Sequence, residues 1–204
     1  MIVTLDGERL SGQWGAPASL EALVEQVRRE HLGERVVVEI ALNGHSLVTD
    51  SLERQLPAKL ADADQVDLAS AAPRALAVEA LRETATRLSD AAQAHHRAAE
   101  TLQGGRVVDA VNDFGALLNV WQDCQRTITD AAVLLREDVT TRLIDQRTIR
   151  DQFNDLAHKL REVRDAFESR DFVLLADLLE FEMPGLCRRW SELLDTLATE
   201  FERE

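Results

Sequence analysis

The sequence predicts an α+β protein in two parts: a small mixed domain over residues 1–72, then a long antiparallel four-helix bundle over residues 73–204. Three observations carry this. Short β-rich runs and the turn pairs Asp6-Gly7 and Asn43-Gly44 are confined to the first part. At Pro73 the apolar period changes from two to seven. The chain has 204 residues and is 45% hydrophobic, enough to fill two cores without staples.

In the first part, Ile2–Leu5 reads as a strand. Asp6-Gly7 is a tight hairpin turn, because both central residues need positive φ. Glu8–Trp14 is the predicted returning strand, and Pro17 breaks the chain. Ser19 caps a helix starting at Leu20, with Glu21 and Glu25 towards its N-terminal end and Arg28 and Arg29 towards its C-terminal end. Leu20, Leu23, Val24, Val27 and Leu32 form its apolar stripe, and Gly33 ends it. Val36–Leu42 is rich in β-branched residues and reads as a buried central strand. Asn43-Gly44 turns the chain back through Ser46–Val48. A loop or short helix spans Ser51–Leu60, and Ala61–Leu68 holds an Asp-rich turn leading into a last strand.

An opening hairpin, a capped helix, the run Val36-Val-Val-Glu-Ile-Ala-Leu-Asn-Gly44 and the late turn before Val66 together resemble the β-grasp fold. This part looks most like the small sulfur carriers of thiamine and molybdopterin synthesis, a resemblance covering roughly residues 1–71. The resemblance implies a ubiquitin-like domain. Such carriers act through a free C-terminal Gly-Gly that is activated as an adenylate. Here the last strand runs on into Ala71-Ala72-Pro73, and the only Gly-Gly is Gly104-Gly105, which reads as a turn between helices. The expectation is a docking module without carrier chemistry.

Pro73 suits a helix start. In the first long helix Val78, Ala85, Ala92 and Ala99 alternate with Leu81, Leu88, His95 and Leu102, a seam of coiled-coil type ending at Gly104-Gly105. The second pairs Phe114, Trp121, Ile128 and Leu135 with Val111, Leu118, Gln125 and Ala132, and ends near Glu137-Asp138. The third pairs Ile149, Leu156 and Val163 with Phe153, Leu160 and Phe167, and ends near Ser169-Arg170. The fourth pairs Phe172, Leu179, Leu186 and Leu193 with Ala176, Met183, Trp190 and Leu197. Helices of roughly 30 residues, each ~45 Å long, joined by short turns, must be antiparallel neighbours. The rival arrangement is a three-helix bundle with a swapped or dimerising fourth helix.

The formal charge is −14, of which residues 1–72 carry −6 and residues 73–204 carry −8. Acidity spread this evenly argues against nucleic acid and anionic membrane as partners. Cys124 and Cys187 are far apart in sequence and form no Cys-x-x-Cys, which fits a reducing, cytoplasmic setting. No apolar run reaches the length of a membrane span.

No constellation of catalytic, cofactor-binding or metal-ligating residues stands out, so those sites are predicted to be none. His95 lies on a seam, where a satisfied core imidazole is the simpler reading, and His96 has Glu100 at the next turn. Asp155-x-x-His158 is a single copy of what a di-iron bundle needs twice. Cys187 beside Arg188 and Arg189 could have a lowered pKa, but no His or Asp neighbours it in sequence. Asp62-x-Asp64 lacks the glycine and distal Glu of a calcium loop. The least ordinary stretch is Phe172–Trp190. Val173, Leu174, Leu175, Leu178 and Phe181 fall outside its seam, and Pro184 should kink or widen the helix. Glu180 and Glu182 flank it, placed to pair with Arg or with backbone freed by the proline.

These features predict a non-enzymatic, protein-binding adaptor or chaperone-like protein without cofactor. Its partner surface is expected at Val173, Leu174, Leu178 and Phe181, and a homodimer is a further partner class. The alternatives are a β-grasp accessory subunit docking on an adenylating or sulfur-transfer enzyme and, third, a metal-dependent helical-bundle enzyme.

Overall fold

The computed structural model describes residues 1–11, 14 and 19–204, with Thr49 and Asp50 described by backbone alone. The protein is α+β, and its chain divides into two compact units, Met1–Pro73 and Arg74–Glu204. Among the described residues, no helix is long and apolar enough to cross a membrane.

The first unit is a mixed sheet with a helix on one face. Strands β1 (Ile2–Leu5) and β2 (Glu8–Arg9) form the opening hairpin. Its turn places Asp6 at φ 53° and Gly7 at φ 84°, the left-handed pair that the Asp-Gly dipeptide favours. Helix α1 (Leu20–Val27) starts where Ser19 accepts from the Ala22 N–H, and it runs on as a π turn over Arg28–Leu32. Strands β3 (Val36–Leu42) and β4 (His45–Ser46) make the second hairpin. After helix α2 (Thr49–Gln55), strand β5 (Gln65–Ala71) enters the sheet parallel to β1 and antiparallel to β3. The order is β2-β1-β5-β3-β4, so β5 is the central strand.

That corrects the expectation for Val36–Leu42. Strand β3 lies beside β4, which pairs with it over only two residues, and Ile40 is its one fully buried residue. A register shift between Val37 and Glu39 leaves Val38 half exposed. β5 alternates strictly instead, turning Val66, Leu68 and Ser70 inward. Leu20, Leu23, Val27 and Leu32 close the core against Val3, Ile40, Val66 and Leu68. The predicted return over Glu8–Trp14 is a strand only at Glu8–Arg9; Gly12, Gln13 and Pro17 lie outside the described residues.

The second unit has four helical stretches around one hydrophobic core. They are α3 (Pro73–Gln103); α4 (Val107–Leu135); α5 (Ile149–Glu168); and a last stretch in three pieces. That stretch is α6 (Phe172–Asp177), a π turn over Leu178–Glu182, and α7 (Met183–Arg203). Polar contacts give the directions. His95 meets Cys187 and Gln103 meets Glu180, so α3 and the last stretch are antiparallel. Arg74 donates to the Phe201 carbonyl at the far end of that pair. Thr84 meets Thr127 and Arg87 meets Asp123, so α4 runs against α3. Phe153 stacks near Trp190 and Lys159 pairs with Glu182, so α5 also opposes the last stretch.

Pro184 sits in the first turn of α7, directly after the π turn. It has no N–H to continue the α-helical ladder, and a widened turn precedes it as the sequence suggested. The α4–α5 connection is longer than expected. It holds a 3₁₀ turn (Val139–Thr141) and a small hairpin, β6 (Leu143–Ile144) with β7 (Arg147–Thr148). Asp145 and Gln146 take positive φ at its tip. Thr148 then caps α5, whose 20 residues fall short of the predicted 30.

Replacing Leu23 with Ala removes a fully buried side chain from the first unit's core. The expected loss is about 2–5 kcal/mol. Amide hydrogen exchange read by mass spectrometry should then speed up across β3 and β5.

Candidate functional site

The interior of the helical unit holds the polar groups, and its surface holds the unusual apolar ones. His95, on the inner face of α3, is fully buried at 0% exposure. Its Nδ1 lies 2.7 Å from the Ala91 carbonyl, four residues back, so Nδ1 carries the proton and Nε2 is a bare acceptor. Neither His95 Nε2 nor Trp121 Nε1 has a hydrogen-bond partner. Burial lowers the His95 pKa, outweighing the Ala91 bond that raises it, and the ring is neutral at pH 7.

Cys187 Sγ lies 3.7 Å from His95 Nδ1, a pairing across 92 positions of sequence that local reading missed. Contact with an imidazole often marks an activated thiol. Here burial decides otherwise: it pushes Cys187 up to about 12, although Arg188 pulls the other way. Cys124 is likewise pushed up to about 12 by burial, with Cys187 adding to the rise. A neutral imidazole whose proton is already committed to Ala91 is no base for a thiol this weakly acidic. The two cysteines are free.

The residues singled out on the last stretch divide cleanly. Val173 and Phe181 are 76% and 69% exposed, and Leu174 is 46% exposed. Leu178 is 4% exposed and belongs to the core, as does Leu175. Leu178 is therefore withdrawn from the predicted surface; it starts the π turn and faces inward beside Leu179. The acidic residues also differ from expectation. Glu182 pairs with Lys159 rather than Arg, and Glu180 accepts from Gln103 at 2.7 Å rather than from backbone. Asp171 accepts from the Leu174 N–H and so caps α6.

The remaining candidates have structural partners. Asp155 accepts from Arg147 at 2.7 Å, and His158 faces Glu162, both on the surface. Asp64 accepts from Asn43 and from the Ala61 N–H, which closes the turn before β5. Among the described residues, no group of three or more His, Cys, Asp or Glu is placed to hold a metal ion.

Residues 79–193, more than half of the chain, match the family model described as Domain of unknown function (DUF8042). The chain belongs to this family. The DUF8042 region begins within α3 and ends within α7, so it contains His95, Cys124, Cys187 and the exposed Val173–Phe181 segment. The sheet of the first unit lies outside it. No curated protein and no solved structure matches the chain.

Two measurements test the interior. An unfolded histidine takes up a proton near pH 6.5, whereas folded His95 resists it until lower pH. The unfolded state thus binds more protons just below pH ~6.5, and stability falls with falling pH there. The urea midpoint of the wild type should drop between pH 7 and 5, and His95→Gln should flatten that slope. Carboxylates lowered by their partners, such as Glu204 at about 2, lose their contribution only below their own unfolded range. Separately, neither thiol should react with iodoacetamide at pH 8 in the native protein, and both should react in denaturant.

Proposed function

We propose that this DUF8042 protein is a non-catalytic protein-binding module, an adaptor or chaperone-like protein. Its partner surface is the outer side of α6 and the π turn. The observation that carries this reading is the exposure of Val173, Leu174 and Phe181 on a stretch whose other side is already buried in the core. Isolated exposed apolar residues are ordinary, but three on one short segment that includes a π turn make a docking patch.

The occupant we infer is an amphipathic helix of another protein, apolar on one side and basic at its flanks. Asp171 and Asp177 are exposed beside these residues in sequence, and residues 73–204 carry −8 overall, so flanking Lys or Arg would be attracted and acidic segments repelled. We read the surrounding helical unit as a four-helix bundle. The shared core and the three antiparallel helix pairs support that reading.

For the first unit we infer a β-grasp-like fold. A parallel β1–β5 pair lies between two antiparallel hairpins, with α1 packed on one face, and this arrangement supports the inference. On this reading the unit can also dock on an adenylating or sulfur-transfer enzyme without being modified itself.

A Val173→Glu/Phe181→Glu variant should keep the wild-type circular dichroism and melting temperature, because both side chains are exposed. Its affinity for a partner identified by capture and remeasured with purified proteins should fall at least tenfold, about 1.4 kcal/mol. Equal capture and equal affinity for wild type and variant would place the binding surface elsewhere.

A further inference from the structure

The solvent side of the last helical stretch continues past the apolar patch, and its charge changes sign on the way. Exposed positions recur at helical spacing: Val173 and Leu174, then Asp177, then Phe181, and beyond the π turn Arg188 and Arg189. Gly185 falls between Phe181 and Arg188, one turn from each. A Cβ placed on Gly185 would have only the Arg188 guanidinium near it, at 3.9 Å, so the face is bare there. Among the described residues, Asp177, Arg188 and Arg189 make no ion pair. Arg189 acts only through space on Asp155, which Arg147 already holds. Glu180 and Glu182, by contrast, are engaged by Gln103 and Lys159.

We propose that the helix bound on this face is itself charged oppositely at its two ends: basic over Asp177, acidic over Arg188 and Arg189, with a large apolar side chain over Gly185. This rests on reading Val173, Leu174 and Phe181 as a docking patch, and it names the sequence pattern that patch selects. Charge complementarity carries it. A free carboxylate at one end and two free guanidiniums at the other attract a helix of mixed sign along its whole length, whereas a helix basic throughout is repelled at Arg188 and Arg189. From Asp177 to Arg188 the chain rises about 16 Å, so the opposite charges of the partner stand roughly three turns apart. Helices favour acidic residues in the first turn and basic ones in the last, because these complement the dipole. Such a helix fits this face when it runs antiparallel to the last stretch, the direction that α3 and α5 already take against it.

The size of the face sets the strength. From Val173 to Arg189 it is about 24 Å long, and a single helix laid along it makes a contact at the small end of specific interfaces. The expected complex is weak and reversible, with a micromolar dissociation constant. Bulk electrostatics predict the opposite preference: a net charge of −14 by itself favours a uniformly basic helix. Salt screens that distant charge, while the contacts at Asp177, Arg188 and Arg189 act at short range.

Fluorescence anisotropy on the full chain in about 0.15 M salt tests this with two dye-labelled synthetic helical peptides that share one apolar stripe. The first carries Glu in its opening turns and Lys in its closing turns; the second carries Lys in both. The wild type should bind the first at least about fivefold more tightly. Arg188→Glu/Arg189→Glu should reverse that order while keeping the wild-type circular dichroism, since both side chains are exposed. Gly185→Leu should weaken both peptides about tenfold, because it fills the bare position outside the core. Equal affinities for wild type, a preference that survives in the arginine variant, or no binding of either peptide up to about 500 μM overturns the proposal. Self-association of the chain that Val173→Glu/Phe181→Glu abolishes, read by sedimentation velocity, would give the face to a second copy and overturn it too. The same variant separates this proposal from the reading beneath it. If it loses both peptides while wild type prefers neither, the docking patch stands and the charge pattern falls. If it binds both like wild type, the patch falls and takes the charge pattern with it.

Discussion

The helical unit depends on the antiparallel contact between α3 and the last stretch. Alanines at positions 77, 85, 91, 92, 98 and 99 of α3 are buried in the core of the helical unit, where small side chains leave room for the larger residues of its neighbours. Both ends of this pairing are tied by polar contacts. Arg74 donates to the Phe201 carbonyl and to Glu204, so a cation satisfies the exposed carbonyl end of α7. Arg142 adds bonds to Glu204 and lies 4.6 Å over the Phe201 ring. Gln103 holds Glu180 at the other end. With α3 and α7 so aligned, α4 and α5 complete the core, and Val173 and Leu174 of α6 stay exposed outside it.

The sequence showed the heptads of α3 and α7 because a buried helix pair repeats its contacts at fixed intervals. Every seam residue expected on α3 is buried, from Val78 through Leu102. On α4 one of the two expected series is displaced by one position. Val111, Leu118, Gln125 and Ala132 were expected inside; the buried residues are Ala110, Leu117, Cys124 and Ala131. The physical reason is visible at Gln125. Turning it inward would bury an amide without a partner, while a one-residue rotation buries Cys124 instead. Phe167 has a similar history: it extends the predicted α5 series, but α5 ends one residue later and leaves it partly exposed. The small hairpin at Leu143–Thr148 escaped because Asp145-Gln146 lacks the glycine that marks such turns, and both residues take positive φ without it. Central placement of β5 escaped because strand order in a mixed sheet is not a local property. β3 has the stronger β-branched run, yet the more regular alternation of β5 was the better sign of which strand sits in the middle.

The interior shows why residue type alone does not make a site. His95, Cys187 and Cys124 are the side chains a catalytic reading would choose, and folding brings the first two into contact. Their surroundings cancel the reactivity. Burial holds the imidazole neutral and both thiols protonated. The polar contacts of His95 act within the fold, joining one turn of α3 to α7. The unsatisfied Nε2 of His95 and Nε1 of Trp121 each cost about 1–3 kcal/mol, a local weakness in an otherwise apolar core.

What is left for recognition lies outside, and the outside is not uniform. The acid load is neutralised in patches where arginines are held by structural carboxylates, as in Arg82 with Glu202 and Arg142 with Glu137, Glu200 and Glu204. Those arginines are committed to the fold and add little to any partner's attraction. On the proposed reading, the carboxylates beside apolar Val173, Leu174 and Phe181 favour a basic amphipathic partner and disfavour an acidic one, because a like-charged segment would have to bring its own carboxylates against Asp171 and Asp177.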